Sequence, residues 1–136
     1  MKKIKTFPFT YVGQTYLGKI YRPYVTALVK TEEIENWLLM EMIIDTGADY
    51  TLLPRKYASL LNIDLSKCLP QTTSGVGGSE TVYLYKKGVT IQIGNWQKVI
   101  PVGILERDDL PALLGRLTCL ETITLIFKNR LSLLGK

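Results

Sequence analysis

A chain of 136 residues, 46% hydrophobic and 21% charged, is long enough for one packed domain and too short for two independent catalytic lobes. It contains no histidine, which excludes Ser-His-Asp and Cys-His catalysis, histidine zinc sites and a histidine proton shuttle, and leaves acid/base chemistry to carboxylates, Lys, Tyr or Cys. Seventeen Lys and Arg against twelve Asp and Glu give +5, but the basic residues are scattered small groups such as Lys2, Lys3 and Lys5 or Lys86 and Lys87, so nucleic acid is not expected as a partner.

The opening MKKIKTFPFT has the charges of a signal peptide without an apolar stretch behind them. No segment approaches the roughly 18 apolar residues of a membrane span, and the expectation is a soluble, cytoplasmic protein with no membrane partner. Tyr24 to Thr31 and Trp37 to Asp45 are rich in residues that suit a pleated sheet, and the polar Glu32 to Asn36 between them predicts a hairpin. Pro54 followed by apolar Tyr57, Leu60 and Leu61 predicts a helix of about two turns. Val82 to Lys86, Val89 to Ile93 and Trp96 to Ile104 read as three strands separated by Gly88 and by the Gly94-Asn95 turn. A second short helix is expected after Arg116, and Ile123 to Phe127 with Leu131 to Leu134, joined by Lys128-Asn129-Arg130, read as a closing strand pair. Cys68 and Cys119 form no C-x-x-C pattern, so two reduced structural thiols are expected, with no metal site.

Ile43-Ile44-Asp45-Thr46-Gly47-Ala48 is the most informative stretch. A carboxylate directly after an apolar strand, followed by a glycine that lets the chain turn, would sit on a loop held by a rigid sheet. The bare Asp-Thr-Gly is also simply a good turn, and by itself it does not decide between the two. Later in the chain stands Leu113-Leu114-Gly115-Arg116, and between them lies Thr73-Ser74-Gly75-Val76-Gly77-Gly78-Ser79. No Gly-Lys-Ser/Thr follows these glycines, which argues against a phosphate loop.

Taken together with Arg22-Pro23-x-Val25-Thr26, these segments occur in the order found in retropepsins, the single-domain aspartic proteases, and the sequence resembles that family from Arg22 to Phe127. The resemblance implies a mostly β, closed-barrel-like acid protease fold with one or two short helices, one lobe per chain, completed by homodimerisation. Residues 21–127 would match the family, 1–20 would be an N-terminal extension and 128–136 a C-terminal strand. Asp45 would be the catalytic aspartate, Thr46 the residue whose hydroxyl links two active-site loops, and Gly47 the residue whose carbonyl faces the substrate backbone. Only one such aspartate is present, so two chains would have to meet as a C2 homodimer.

By the same resemblance Ala48, Asp49, Leu52, Pro111 and Leu113 would contact substrate, and Gly75, Val76, Gly77 and Gly78 would form a flap over an extended peptide. Asp49 would be held by Arg116 of its own chain and Arg22 of the second copy. Ile43 is either a pocket residue or an ordinary core residue. No cofactor is implied. Three departures stand out: a longer hairpin at Glu32 to Asn36, Tyr50 in place of a second acidic residue after Asp49, and a chain that continues past Phe127, whose extra strand either enlarges a dimer interface or covers an edge within one subunit. The alternative function is a non-catalytic dimeric module that grips extended peptides without cutting them.

Overall fold

The computed structural model describes residues 1–75 and 78–136. Twelve strands are present: β1 (Lys3–Pro8), β2 (Thr10–Thr15), β3 (Gly18–Arg22), β4 (Tyr24–Lys30), β5 (Leu38–Ile44), β6 (Thr51–Leu53), β7 (Leu69–Gly75), β8 (Gly78–Ile93), β9 (Trp96–Leu105), β10 (Ala112–Leu114), β11 (Thr124–Lys128) and β12 (Leu131–Gly135). One α-helix, α1 (Lys56–Leu60), and two 3₁₀ turns at Leu65–Lys67 and Leu120–Thr122 complete the elements among the described residues. The helix after Pro54 is therefore five residues long, and the short helix expected after Arg116 is a single 3₁₀ turn. No helix among the described residues is long and apolar enough to cross a membrane.

Six strands close into a barrel in the order β4-β5-β10-β6-β9-β8, because β8 pairs back onto β4 through Leu28↔Gln92 and its neighbours. Closure removes free edges and gives every strand an inner face. The alternation read from the sequence fills that interior: Val25, Ala27 and Val29 of β4, Met40, Met42 and Ile44 of β5, Ile91 and Ile93 of β8, and Ile100, Val102 and Ile104 of β9 are all buried. Each such side chain contributes about 1.5–3 kcal/mol relative to exposure, so the barrel is a stiff mount for the loops at its rim.

The β4–β5 hairpin follows the sequence reading to within a residue at each end. The segment around Gly88 does not. Val82 to Lys86 and Val89 to Ile93 belong to one 16-residue strand, and the register shifts between Tyr85 and Val89 against β9. Gly88 marks a bulge, with φ +80, and a Cβ there would run into the Ile100 backbone. A glycine between two apolar runs signals a turn and a bulge alike, and the partner strand decides which.

The N-terminal extension, rich in Thr, Tyr, Ile, Val and Phe, forms β1, β2 and most of β3. β1 pairs antiparallel with β12, which pairs in turn with β11, so both ends of the chain lie in one three-stranded sheet of the same subunit. Ile4 and Phe7 are buried from β1, and the extra C-terminal strand pairs between β1 and β11 within its own chain. The β11–β12 turn uses Asn129 and Arg130 at φ 51 and 59, the left-handed pair that a two-residue hairpin loop requires. β2 and β3 pair only with each other and carry Tyr16 and Leu17 at their tip, 104% and 92% exposed.

Candidate active site

The loop from Asp45 to Tyr50 begins where β5 leaves the barrel and ends where β6 re-enters it. Between those two strands lies β10, parallel to β5 through Ile44↔Leu114 and antiparallel to β6 through Leu113↔Leu52. The Leu-Leu-Gly-Arg segment thus passes through the space between the strands that carry the loop, and its backbone holds the loop in place. The Asp45 amide donates to the Leu114 carbonyl at 2.9 Å, the Arg116 amide to the Ala48 carbonyl at 3.0 Å and the Leu117 amide to the Asp49 carbonyl at 2.8 Å.

Gly115 makes this crossing possible. A Cβ at that position would overlap the Tyr50 carbonyl group and lie 2.8 Å from the Thr51 amide nitrogen. The Gly115 amide instead donates to the buried Thr51 hydroxyl at 3.1 Å. Behind Thr51 sits Cys119, fully buried, whose thiol is pushed up to about 12 by burial against smaller opposing effects from the Thr51 hydroxyl and Lys98. Both cysteines are free and buried, as the sequence led one to expect.

Asp45 is half-buried at the start of the loop, and its Oδ1 accepts the Gly47 amide at 2.9 Å. Thr46 and Gly47 are exposed and Ala48 is half-buried. The Arg116 guanidinium reaches across the loop, donating to the Thr46 carbonyl at 2.6 Å and to Asp49 Oδ1 at 2.6 Å. Arg22 ends β3 beside Pro23, whose carbonyl accepts the Ile44 amide at the end of the strand that leads into the loop. It is exposed and makes no ion pair among the described residues.

A cleft of about 250 Å³ opens beside Asp49 and Tyr50. Leu52 and Leu113 line it, as do Thr73, Glu80 and Val82 of the β7–β8 hairpin and Leu105 and Leu110 from the β9–β10 side. That hairpin is the segment expected to be a flap; its strands pair from Leu69↔Leu84 to Gly75↔Gly78, and Val76 and Gly77 lie outside the described residues. Pro111 is not in this cleft. It lines a shallow depression with Tyr24, Leu39 and Tyr57 instead. Ile43 is half-buried in β5, level with Leu113.

Sequence reasoning missed Glu80, Val82, Leu105 and Leu110 as cleft residues. Val82 and Leu105 are register partners, so alternation reveals that they face inward but not which cavity they meet. Tyr50 was seen only as a departure; burial first, and then the Asp49 carboxylate, hold its phenol above the ordinary range.

Asp45 stands on a backbone-braced loop whose far end, Asp49 and Tyr50, lines a small cleft, and a carboxylate held in this way suits acid/base chemistry. A profile of the aspartyl protease family matches residues 33–117, more than half of the chain and the stretch that contains the Asp45 loop, the hairpin and β10. The chain belongs to the aspartyl protease family. The crystal structure of a retropepsin-like aspartic protease from Rickettsia conorii is similar to this protease over 98% of this chain and 96% of that chain, with a TM-score of 0.65 and 22% identity. The likeness establishes a shared, retropepsin-like fold, including the terminal strands that lie outside the family match. No curated protein matches the sequence. Family and fold together support aspartic protease activity in general terms.

Proposed function

We propose that this aspartyl protease is an endopeptidase that works as a C2 homodimer, with Asp45 of each copy forming the catalytic pair. The observation that carries the reading is the Asp45 loop itself: one Asp-Thr-Gly aspartate per chain, on a loop braced by Leu114, Arg116 and Leu117 whose far end lines a cleft. A single lobe supplies half of the dyad, and a twofold axis supplies the other half. The exposed apolar tip of the β2–β3 hairpin also supports a second copy, since a two-stranded ribbon alone is marginally stable in water.

Two carboxyl groups about 3 Å apart, the arrangement known in aspartic proteases, cannot both ionise cheaply and hold one shared proton. The ionised partner takes a proton from a bound water as its oxygen attacks the scissile carbonyl carbon. The protonated partner hydrogen-bonds to the carbonyl oxygen as negative charge develops there. Proton transfer to the amine then lets the C–N bond break. Thr46, Gly47 and Ala48 present the substrate-facing backbone of the loop, Asp49 meets the substrate main chain, and Arg22 of one copy joins Arg116 in holding Asp49 of the other. Leu52 and Leu113 favour apolar surface near the cut. The β7–β8 hairpin, with Gly75 and Gly78 at the ends of its strands, closes over the peptide.

Cleavage of a diverse peptide mixture between about pH 3 and 8, with products identified by mass, tests this. Acid-favoured cutting by the wild type that vanishes in Asp45→Asn supports the peptidase. No cutting by a folded dimer moves the assignment to a peptide-binding module.

A further inference from the structure

Glu80 is an acidic side chain of the cleft that the reaction above leaves without a role. It stands on β8 opposite Thr73 of β7, and it faces the same cleft as Leu52, Val82 and Leu113. Its Oε1 is shielded from solvent and has no hydrogen-bond partner among the described residues. A carboxylate oxygen withdrawn from water and left without a donor is unfavourable, and a cation delivered by a ligand would relieve it.

The neighbouring charges are already engaged. Asp49 is paired with Arg116, Arg107 directs its guanidinium to Asp109, and Glu106 accepts the Tyr83 hydroxyl. Arg107 acts on Glu80 through space only, without an ion pair between them. The cleft therefore combines an apolar wall with a carboxylate that has no ion pair among the described residues, while Arg107, in the adjoining depression, is turned to Asp109. That combination fits a long side chain with an aliphatic stem and a positive head, and fits a purely aliphatic one less well.

We propose that Glu80 is a specificity-determining residue that selects lysine or arginine in this pocket, with the stem against Leu52, Val82 and Leu113 and the charged head at the Glu80 carboxylate. The inference rests on the reading of the chain as a dimeric peptide-cleaving enzyme. The twofold axis repeats the pocket, so a basic residue is favoured at two symmetry-related positions, one on each side of the cut.

The test compares wild type, Glu80→Gln and Glu80→Leu on a peptide library randomised position by position. Wild type is expected to favour Lys or Arg over Leu or Met by about tenfold in kcat/KM at a fixed distance from the cut. Glu80→Gln should shrink that ratio, and Glu80→Leu should turn it toward aliphatic residues, with melting temperatures no lower than wild type. Cutting without a basic preference, or a preference unchanged in both variants, overturns the role of Glu80 while leaving the peptidase intact. Binding separates the two readings if nothing is cut: paired decapeptides carrying Lys or norleucine are titrated against Asp45→Asn by fluorescence anisotropy. Tighter binding of the Lys peptides that disappears on adding Glu80→Gln sustains the selection by Glu80 although the peptidase reading has failed, and equal binding of the pairs overturns it.

Discussion

Arg116 and Asp49 are joined at 2.6 Å across the loop that starts at Asp45, and the same guanidinium holds the Thr46 carbonyl at 2.6 Å. Both side chains are substantially exposed, 44% and 81%, so the ion pair itself adds less than about 1 kcal/mol to stability. Its effect is on position. Arg116→Lys keeps the charge but loses the fork that reaches two acceptors, and the expected outcome is a loss of about 10- to 100-fold in kcat/KM with a stability change below about 1 kcal/mol. Peptide hydrolysis and urea unfolding measured on one preparation check this, and unchanged activity would show that the loop is held by its backbone alone.

Asp45→Asn keeps an oxygen able to accept the Gly47 amide, which now does so at 2.9 Å, so the loop should retain its shape. The variant cannot share the proton of a dyad. A fall in kcat of at least about 10²–10⁴-fold is expected, with an unchanged far-ultraviolet spectrum and unchanged sedimentation. Unfolding of the variant would instead make Asp45 structural.

Gly115→Ala places a methyl group where the Tyr50 carbonyl now lies, with the Thr51 amide nitrogen 2.8 Å away. These are backbone atoms on a braced loop and cannot swing aside. A stability loss of about 1–3 kcal/mol is expected, and residual folded protein should be nearly inactive because β10 and the Asp45 loop have been pushed apart. Calorimetry with an activity measurement well below the transition separates the two effects.

Cys119 ties stability to alkaline pH. Its thiol is raised from 9.0 to about 12 by burial, so between those values the folded state keeps a proton that the unfolded state releases. Stability from this group is therefore fully present below about pH 9 and is lost as pH rises toward 12, at up to about 1.4 kcal/mol per pH unit. Cys119→Ala removes that slope. Urea unfolding from pH 8 to 10.5 should show a flatter profile in the variant, and parallel profiles would mean that other groups dominate.

Tyr16 and Leu17 project from the β2–β3 ribbon into solvent. If this tip meets the second copy, Tyr16→Ser with Leu17→Ser should raise the dimer dissociation constant by tenfold or more, since each large apolar side chain withdrawn from an interface is worth about 1.5–3 kcal/mol. Sedimentation equilibrium reads this directly. The melting temperature at high protein concentration should change little, and an unaltered dissociation constant would place the contact elsewhere.

The Asp45 loop was legible because a carboxylate after an apolar strand and a glycine to turn on stand together in the chain, and because Leu113-Leu114-Gly115-Arg116 follows later in the order found in retropepsins. The β4–β5 hairpin was legible for a similar reason, since its alternation and polar connection are contiguous in the chain. The cleft wall was not. Glu80, Val82, Leu105 and Leu110 meet only after β8 and β9 pair in a particular register, and Gly88 shows how a local signal for a turn becomes a bulge once the Ile100 backbone passes against it.

Residue order by itself determined that this protein would be mostly β and that histidine chemistry was closed to it, because these depend on composition and near neighbours, and it marked Asp45 as the carboxylate to watch through the order of segments from Arg22 to Arg116. Tertiary structure alone decided that β1 would find its partner in β12 at the far end of the chain, that Pro111 and Leu113 would line different cavities, and that Glu80 would stand beside Leu52 with no hydrogen-bond partner for its Oε1 among the described residues. Those outcomes arise from pairing between distant segments, where the free energy of closing the barrel, and not the preference of any one stretch, selects the neighbours.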